Sequence, residues 1–299
     1  MHKKRLVFLI IFAVVLVGMW CLFSNGGRSG VKRAGEHLSV VTSGYVPYAL
    51  AKEIGAEKIH LTMLVPPGTE PHHFEPTPGS VIAVNEADVF VYISPQVEPW
   101  VADILKGLGF VRALEAGPSE KDEDPHVWMT PYGALAMAGR IADTLAKADP
   151  SNAAYYRDNL KKFEKETELL HKDFAGGLKN CKSRAVVHVG HLAFGALAQT
   201  YRLELRSLSG TSHQGEHSVR KLADLIRFIR KNKVSAVFTE PFVSPELAQT
   251  VAQETHVRVL PLYTVEEVDP EDFKSGKTYQ QFMRQNLKNL QEGLQCPAR

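Results

Sequence analysis

Three short phrases carry most of the chemistry in this chain. They are Pro66-Pro67-Gly68-Thr69-Glu70-Pro71-His72-His73-Phe74-Glu75-Pro76, Asp124-Pro125-His126-Val127-Trp128 and His188-Val189-Gly190-His191-Leu192-Ala193-Phe194-Gly195. Their histidines lie about 54 and 65 residues apart, so no single turn or helix relates them and only the fold could bring them together. Neutral imidazole is the commonest side-chain ligand for zinc and similar divalent ions, and three imidazoles with one carboxylate complete a tetrahedral shell. The chain has 12 histidines, and an isolated one is more often a surface or satisfied core residue than a ligand. Context separates these three phrases from that background. His72 and His126 each follow a proline, which fixes one backbone angle and holds the preceding residue extended. Each also lies between an expected strand and an expected helix, and in an open α/β sheet such loops gather at one edge, where ligands bind.

The elements that must position these loops follow from periodicity. Leu38–Thr42, Ile59–Val65, Val89–Ile93 and Val111–Leu114 read as strands, the second alternating, the third buried and the last at an edge. Helical spacing marks Tyr48–Ile54, Pro78–Asn85, Trp100–Leu108 and Thr130–Leu145, with Pro131 well placed in a first turn. From Asn152 to Leu178 apolar residues recur at Tyr156, Leu160, Phe163, Leu170, Phe174 and Leu178, while lysines and glutamates fill the other face. That pattern is a helix with one solvated face, about 40 Å long, enough to bridge two lobes. The βα rhythm then restarts. Strands are expected at Ala185–Val189, Leu203–Leu208, Ala236–Phe238 and Val257–Leu260, and helices at Ala193–Tyr201, Val219–Lys231, Pro245–Glu254 and Tyr279–Leu294. Strand–helix alternation implies parallel sheets.

The leader and composition narrow the class. Lys3-Lys4-Arg5 precedes an apolar run from Leu6 to Phe23, which reads as an export signal or an uncleaved anchor that places the body outside the cytoplasm. Cys21 raises lipidation, although Gly18-Met19-Trp20 makes a poor lipobox. Gly26 to Glu36 reads as a polar tether. The formal charge of +2 is accounted for by the three leader cations, so no basic face for nucleic acid is implied. Cys181 and Cys296 remain, and an oxidising compartment permits a bridge between them or two buried thiols.

With these phrases in this order around a long charged helix, the chain resembles the ZnuA-like metal-binding solute-binding proteins of ABC importers, the cluster of zinc and manganese receptors. The match runs from about Leu38 to Leu294 and includes the C-terminal Met283-Arg284-Gln285-Asn286-Leu287. The resemblance implies two small parallel-sheet βα lobes, at 36–149 and 180–299, joined by one long helix within 150–179, with metal in the cleft between them and residues 1–35 as leader and tether. It places the metal-binding histidines at His72, His126 and His191, with His73 a bystander and His188 a packed strand residue. A gapless match puts the fourth ligand at Glu267, with Glu266 beside it and Glu240 as a competing carboxylate, for which the resemblance implies a role in supporting the ligands or the structure. The chain departs from the zinc receptors in lacking a histidine-rich loop before the second phrase, where only Lys121-Asp122-Glu123-Asp124 stands. His213 and His217 flank another polar loop and offer at most a weak accessory site.

The resulting expectation is a monomeric, exported receptor, on the periplasmic or extracellular face of the membrane, that takes up one divalent ion and delivers it to a membrane permease. Three imidazoles and a carboxylate favour zinc over the more oxygen-rich sites of manganese or iron receptors. A zinc hydrolase is the rival from another class, but no His-Glu-x-x-His signature is present and a closed four-ligand shell leaves no position for activated water. An adhesin without a metal would not need three histidines in such similar settings.

Overall fold

The computed structural model describes residues 37–109, 111–118, 124–208, 219–241 and 245–297. The leader, Lys121 to Glu123, His213 and His217 lie outside the described residues. Among the described residues eight strands form two four-stranded sheets: β1 (Leu38–Thr42), β2 (Ile59–Met63), β3 (Val89–Tyr92) and β4 (Arg112–Glu115) in one, β5 (Ala185–His188), β6 (Glu204–Ser207), β7 (Ala236–Thr239) and β8 (Arg258–Pro261) in the other. The spatial orders are β2-β1-β3-β4 and β6-β5-β7-β8, the same pattern twice, with every pairing parallel. The inner strands β3 and β5 are buried at all four positions, whereas β2 and β6 alternate between more and less exposed residues. A strand covered on both faces reads as a continuous apolar run, and one at an edge keeps its polar side.

Helices cover the sheets. In chain order they are α1 (Tyr45–Gly55), α2 (Pro78–Glu86), α3 (Val101–Lys106), α4 (Pro131–Ala148), α5 (Ala153–Gly177), α6 (Gly195–Tyr201), α7 (Val219–Asn232), α8 (Pro245–Thr255), α9 (Pro270–Lys274) and α10 (Tyr279–Gly293). The start of α4 follows from its residues: Thr130 accepts the Gly133 amide at 3.0 Å and Pro131 occupies the first turn. Gly133 is required there, because a Cβ would lie 1.9 Å from the Val127 carbonyl oxygen. The short α9, preceded by Asp269 accepting the Glu271 amide at 2.7 Å, has no counterpart in the periodicity reading.

The 25-residue α5 buries Tyr156, Phe163, Leu170 and Phe174 along one stripe. These join Val89 and Val91 of the first sheet, Val186 and Phe238 of the second, and Leu287 and Leu290 of α10 in one continuous apolar core. Helix α5 therefore packs into both halves along its length. Cys181, just past α5, and Cys296, just past α10, form a disulfide across 115 residues of chain. Among the described residues no helix is long and apolar enough to cross a membrane.

Closing a loop of this size constrains the unfolded chain by an amount on the order of 2–5 kcal/mol. A Cys181→Ser/Cys296→Ser variant should therefore lose stability on that order in urea unfolding, with the far-ultraviolet spectrum of the folded state unchanged. A midpoint within error of the parent would show that the bridge contributes nothing.

Candidate metal centre

The residues that face one another at the centre all leave the C-terminal ends of strands: His72 after β2, Val97 and Glu98 after β3, Asp124 and His126 after β4, His191 after β5, Glu240 after β7 and Glu266 after β8. His72, His126, His191 and Glu266 each bring one donor atom to within 4.8 Å of the others. Oε2 of Glu266 lies 3.0 Å from Nε2 of His72, and Oε1 lies 3.6 Å from Nε2 of His126 and 3.4 Å from Nε2 of His191. A tetrahedral shell with donors about 2 Å from a zinc ion places neighbouring donors about 3.3 Å apart. The three carboxylate–imidazole separations bracket that value.

The fourth member of the cluster is Glu266, not Glu267. The gapless reading is corrected by one residue, and the backbone gives the reason. Val265 has φ of 65°, a left-handed conformation that a β-branched residue rarely adopts. The turn there sends Glu266 inward between the buried Val265 and Val268, while Glu267 is partly exposed.

The turn is held from several sides. The indole Nε1 of Trp128 donates to the Thr264 carbonyl at 2.9 Å. On α10, Asn286 donates to the Tyr263 carbonyl at 2.7 Å and accepts from the Tyr263 amide at 2.8 Å, and Asn289 donates to the Pro261 carbonyl at 2.8 Å. The Gly68 amide, at φ of 79°, donates to the Val268 carbonyl at 2.8 Å. Asn286 of the Met283–Leu287 phrase and Trp128 of the second histidine phrase thus both hold this turn.

Each imidazole is oriented by an oxygen at its other nitrogen. Nδ1 of His72 is 2.7 Å from the Val97 carbonyl, Nδ1 of His126 is 2.9 Å from Asp124 Oδ1, and Nδ1 of His191 is 2.9 Å from Glu240 Oε1. These acceptors require the proton on Nδ1 and turn every Nε2 towards the cluster. The His72 loop is fixed by Trp100, whose Nε1 donates to the Pro71 carbonyl at 2.8 Å. Gly190 leaves room for Glu240: a Cβ there would lie 2.3 Å from Glu240 Oε1. Glu98 accepts the Ile93 amide at 2.7 Å and so closes the turn that presents Val97. Burial pushes the Glu98 carboxyl up to about 7. His188 is buried, with Nδ1 3.1 Å from the His191 carbonyl and its ring against Phe194, and stands outside the four-residue cluster. His73 is exposed and 2.6 Å from Glu70.

Burial and charge work against each other here. His126 and His191 are 0% and 1% exposed, and Glu266 is 5% exposed. Burial alone would raise the Glu266 carboxyl, yet His126, His191 and His72 outweigh it and hold the group well below the ordinary carboxylate range. Burial likewise lowers His191, but Glu240 and Glu266 on either side overcome it and push the imidazole up to about 10. His72 is raised in the same way, burial being outweighed by Glu266 and Glu70. Both Glu266 oxygens and Nε2 of His126 lack a hydrogen bond of good geometry. Such buried polar atoms are costly alone, and a cation shared among them satisfies all of them.

The model for ZnuA, the periplasmic zinc-uptake complex component A, matches residues 40–293. The chain belongs to this family. The zinc-binding lipoprotein AdcA of Streptococcus pneumoniae serotype 4 is 31% identical over 301 residues, covering 93% of this chain and 60% of AdcA, so the chain spans less than two thirds of that relative. The high-affinity zinc uptake system protein ZnuA of Bacillus subtilis is 31% identical over 307 residues, covering 94% of this chain and 96% of that protein. Among solved structures, the Zn(II)-bound ZnuA-like domain of S. pneumoniae AdcA superposes with a TM-score of 0.77 at 31% identity, covering 87% of this chain and 99% of the domain. The laminin-binding protein Lmb of Streptococcus agalactiae, bifunctional as adhesin and metal transporter, gives 0.80 at 34% identity, covering 86% and 99%.

Two expectations follow for zinc added to this site. Glu266→Gln keeps the size and removes the charge, so affinity should fall about tenfold or more, whereas Glu267→Gln should bind like the parent; equal behaviour of the two variants in a competitive titration would refute the assignment. The second concerns pH. Protons held by His191 up to about pH 10 must leave when an ion binds, so affinity should rise with pH beyond 7 and not level off just above the ordinary imidazole range. For the metal-free protein the sign is opposite: stability from protonated His191 is complete below about 6.5 and is lost as pH climbs towards about 10. Calorimetry in buffers of different ionisation enthalpy should show proton release at pH 8.

Proposed function

We propose that this chain is an extracytoplasmic receptor that binds one divalent metal ion, zinc before manganese or iron, and delivers it to the permease of an ABC importer. The carrying observation is the buried three-imidazole, one-carboxylate cluster, whose donors lie within 4.8 Å of one another, with carboxylate–imidazole separations of 3.0 to 3.6 Å. His72, His126 and His191 supply nitrogen and Glu266 supplies oxygen, a mainly nitrogen set that suits zinc, whereas a manganese site favours more oxygen. Four protein donors fill a tetrahedral shell, as in closed structural sites; catalytic zinc keeps an open position for water. This argues for capture and against hydrolysis.

The family and the names of the relatives support the same reading, with zinc-binding and zinc-uptake proteins among them. An extracytoplasmic position agrees with those lipoprotein and periplasmic descriptions. The finer placement rests on the basic Lys3-Lys4-Arg5 and the apolar Leu6–Phe23, which would hold a monomeric receptor domain at the outer face of the cytoplasmic membrane. The 36–149, 150–179 and 180–299 division belongs to this proposal too, since the apolar core itself runs through both halves.

Calorimetry at neutral pH should give a single tight zinc equivalent that a His126→Ala/His191→Ala variant loses, and manganese should fail to displace it at equal concentration. In cells that lack the chromosomal copy, the parent gene should restore growth in zinc-depleted medium and the double variant should not. A tight equivalent that survives both substitutions would sink the proposal.

A further inference from the structure

One side chain in the second histidine phrase serves both halves of the molecule. Oδ1 of Asp124 accepts the His126 amide at 3.0 Å and lies 2.9 Å from the ring Nδ1. Oδ2 accepts the backbone amide of Ala196 at 2.8 Å, in the segment that follows His191. The other two rings are oriented from within their own halves, His72 by Val97 after β3 and His191 by Glu240 after β7. His126 is oriented by a group that crosses to the opposite half. Gly195 makes the crossing possible, because a Cβ at that position would lie 2.4 Å from Asp124 Oδ2.

We infer that Asp124 and Gly195 form a positioning latch, in which one carboxylate sets the His126 ring and ties it to the chain behind His191, so that the latch governs how long a bound ion stays. The inference rests on the reading of the cluster as a zinc site. The chemistry needs two acceptor oxygens on one group, since both partners donate: the imidazole through Nδ1–H and Ala196 through its backbone N–H. An asparagine supplies one acceptor. Its amide nitrogen must face either the ring N–H or the Ala196 N–H, so one of the two bonds is lost whichever way it turns. An alanine at Gly195 disrupts the same bond from the opposite side by displacing the carboxylate, and it leaves the charge of Asp124 in place.

Zinc release from the full chain, followed by rapid mixing with excess chelator at 25 °C, tests this for the parent, Asp124→Asn, Gly195→Ala and the double variant, together with thermal midpoints with and without zinc. Loss of an outer partner of a metal-bound histidine weakens binding by about 10–100-fold. Each single variant should therefore release zinc about tenfold faster or more, and the double variant should be no faster than the faster single one, because both remove the same bridge. Release within twofold of the parent, with lowered metal-free midpoints, would make Asp124 a purely structural residue and overturn the inference. So would effects that multiply in the double variant. Should Asp124→Asn fail to fold, Gly195→Ala alone decides by the same release rate. A parent that binds no zinc would remove the site reading and this inference together, whereas a parent that binds and variants that match it would remove only the latch.

Discussion

A carboxylate sealed among three imidazoles sets the terms for everything around it. Glu266 is 5% exposed, and an isolated buried charge is prohibitively costly unless compensated. The compensation comes from three Nε2 atoms, and each of those rings needs a fixed acceptor at Nδ1. The chain meets that need with three different oxygens, a backbone carbonyl and two carboxylates, each delivered by its own loop. Two parallel sheets with the same strand order give enough loops on a common edge to do so. The architecture is thus the means of placing six or seven loop residues around one small volume.

The cost of that arrangement is visible at Val265. A branched residue in the left-handed region carries about 1–3 kcal/mol of strain. Five hydrogen bonds, from Trp128, Asn286, Asn289, Tyr263 and Gly68, hold the surrounding turn. At about 1 kcal/mol net for each, they outweigh the strain, so the inward turn of Glu266 persists. The buried asparagines on α10 make sense only in this light. They are polar residues on an inward face, matched one by one to loop carbonyls and an amide.

Much of this was legible beforehand. Strand positions, the long helix and the three histidine loops follow from apolar period and proline punctuation, and β2 shows its alternation directly. The carboxylate was not. Glu266 and Glu267 are chemically identical neighbours, and which of them points inward depends on a single backbone angle at Val265, held by partners as distant in the chain as Gly68 and Trp128. The same holds for Asp124: the sequence marks it as acidic, and only tertiary contact shows that it orients a ring. The pairing of Cys181 with Cys296 was equally open, because it depends on where two helices end in space.

Among the described residues, every group at the centre follows the C-terminal end of a strand. The molecule therefore has two faces under different constraints. Substitutions on the loops that enter the strands act on folding alone, while those on the loops that leave them act on the ion. A lineage can accumulate changes on the first face without disturbing selectivity, and can retune selectivity on the second while the scaffold stays put. Thermal robustness and choice of ion are, in this architecture, separately adjustable traits.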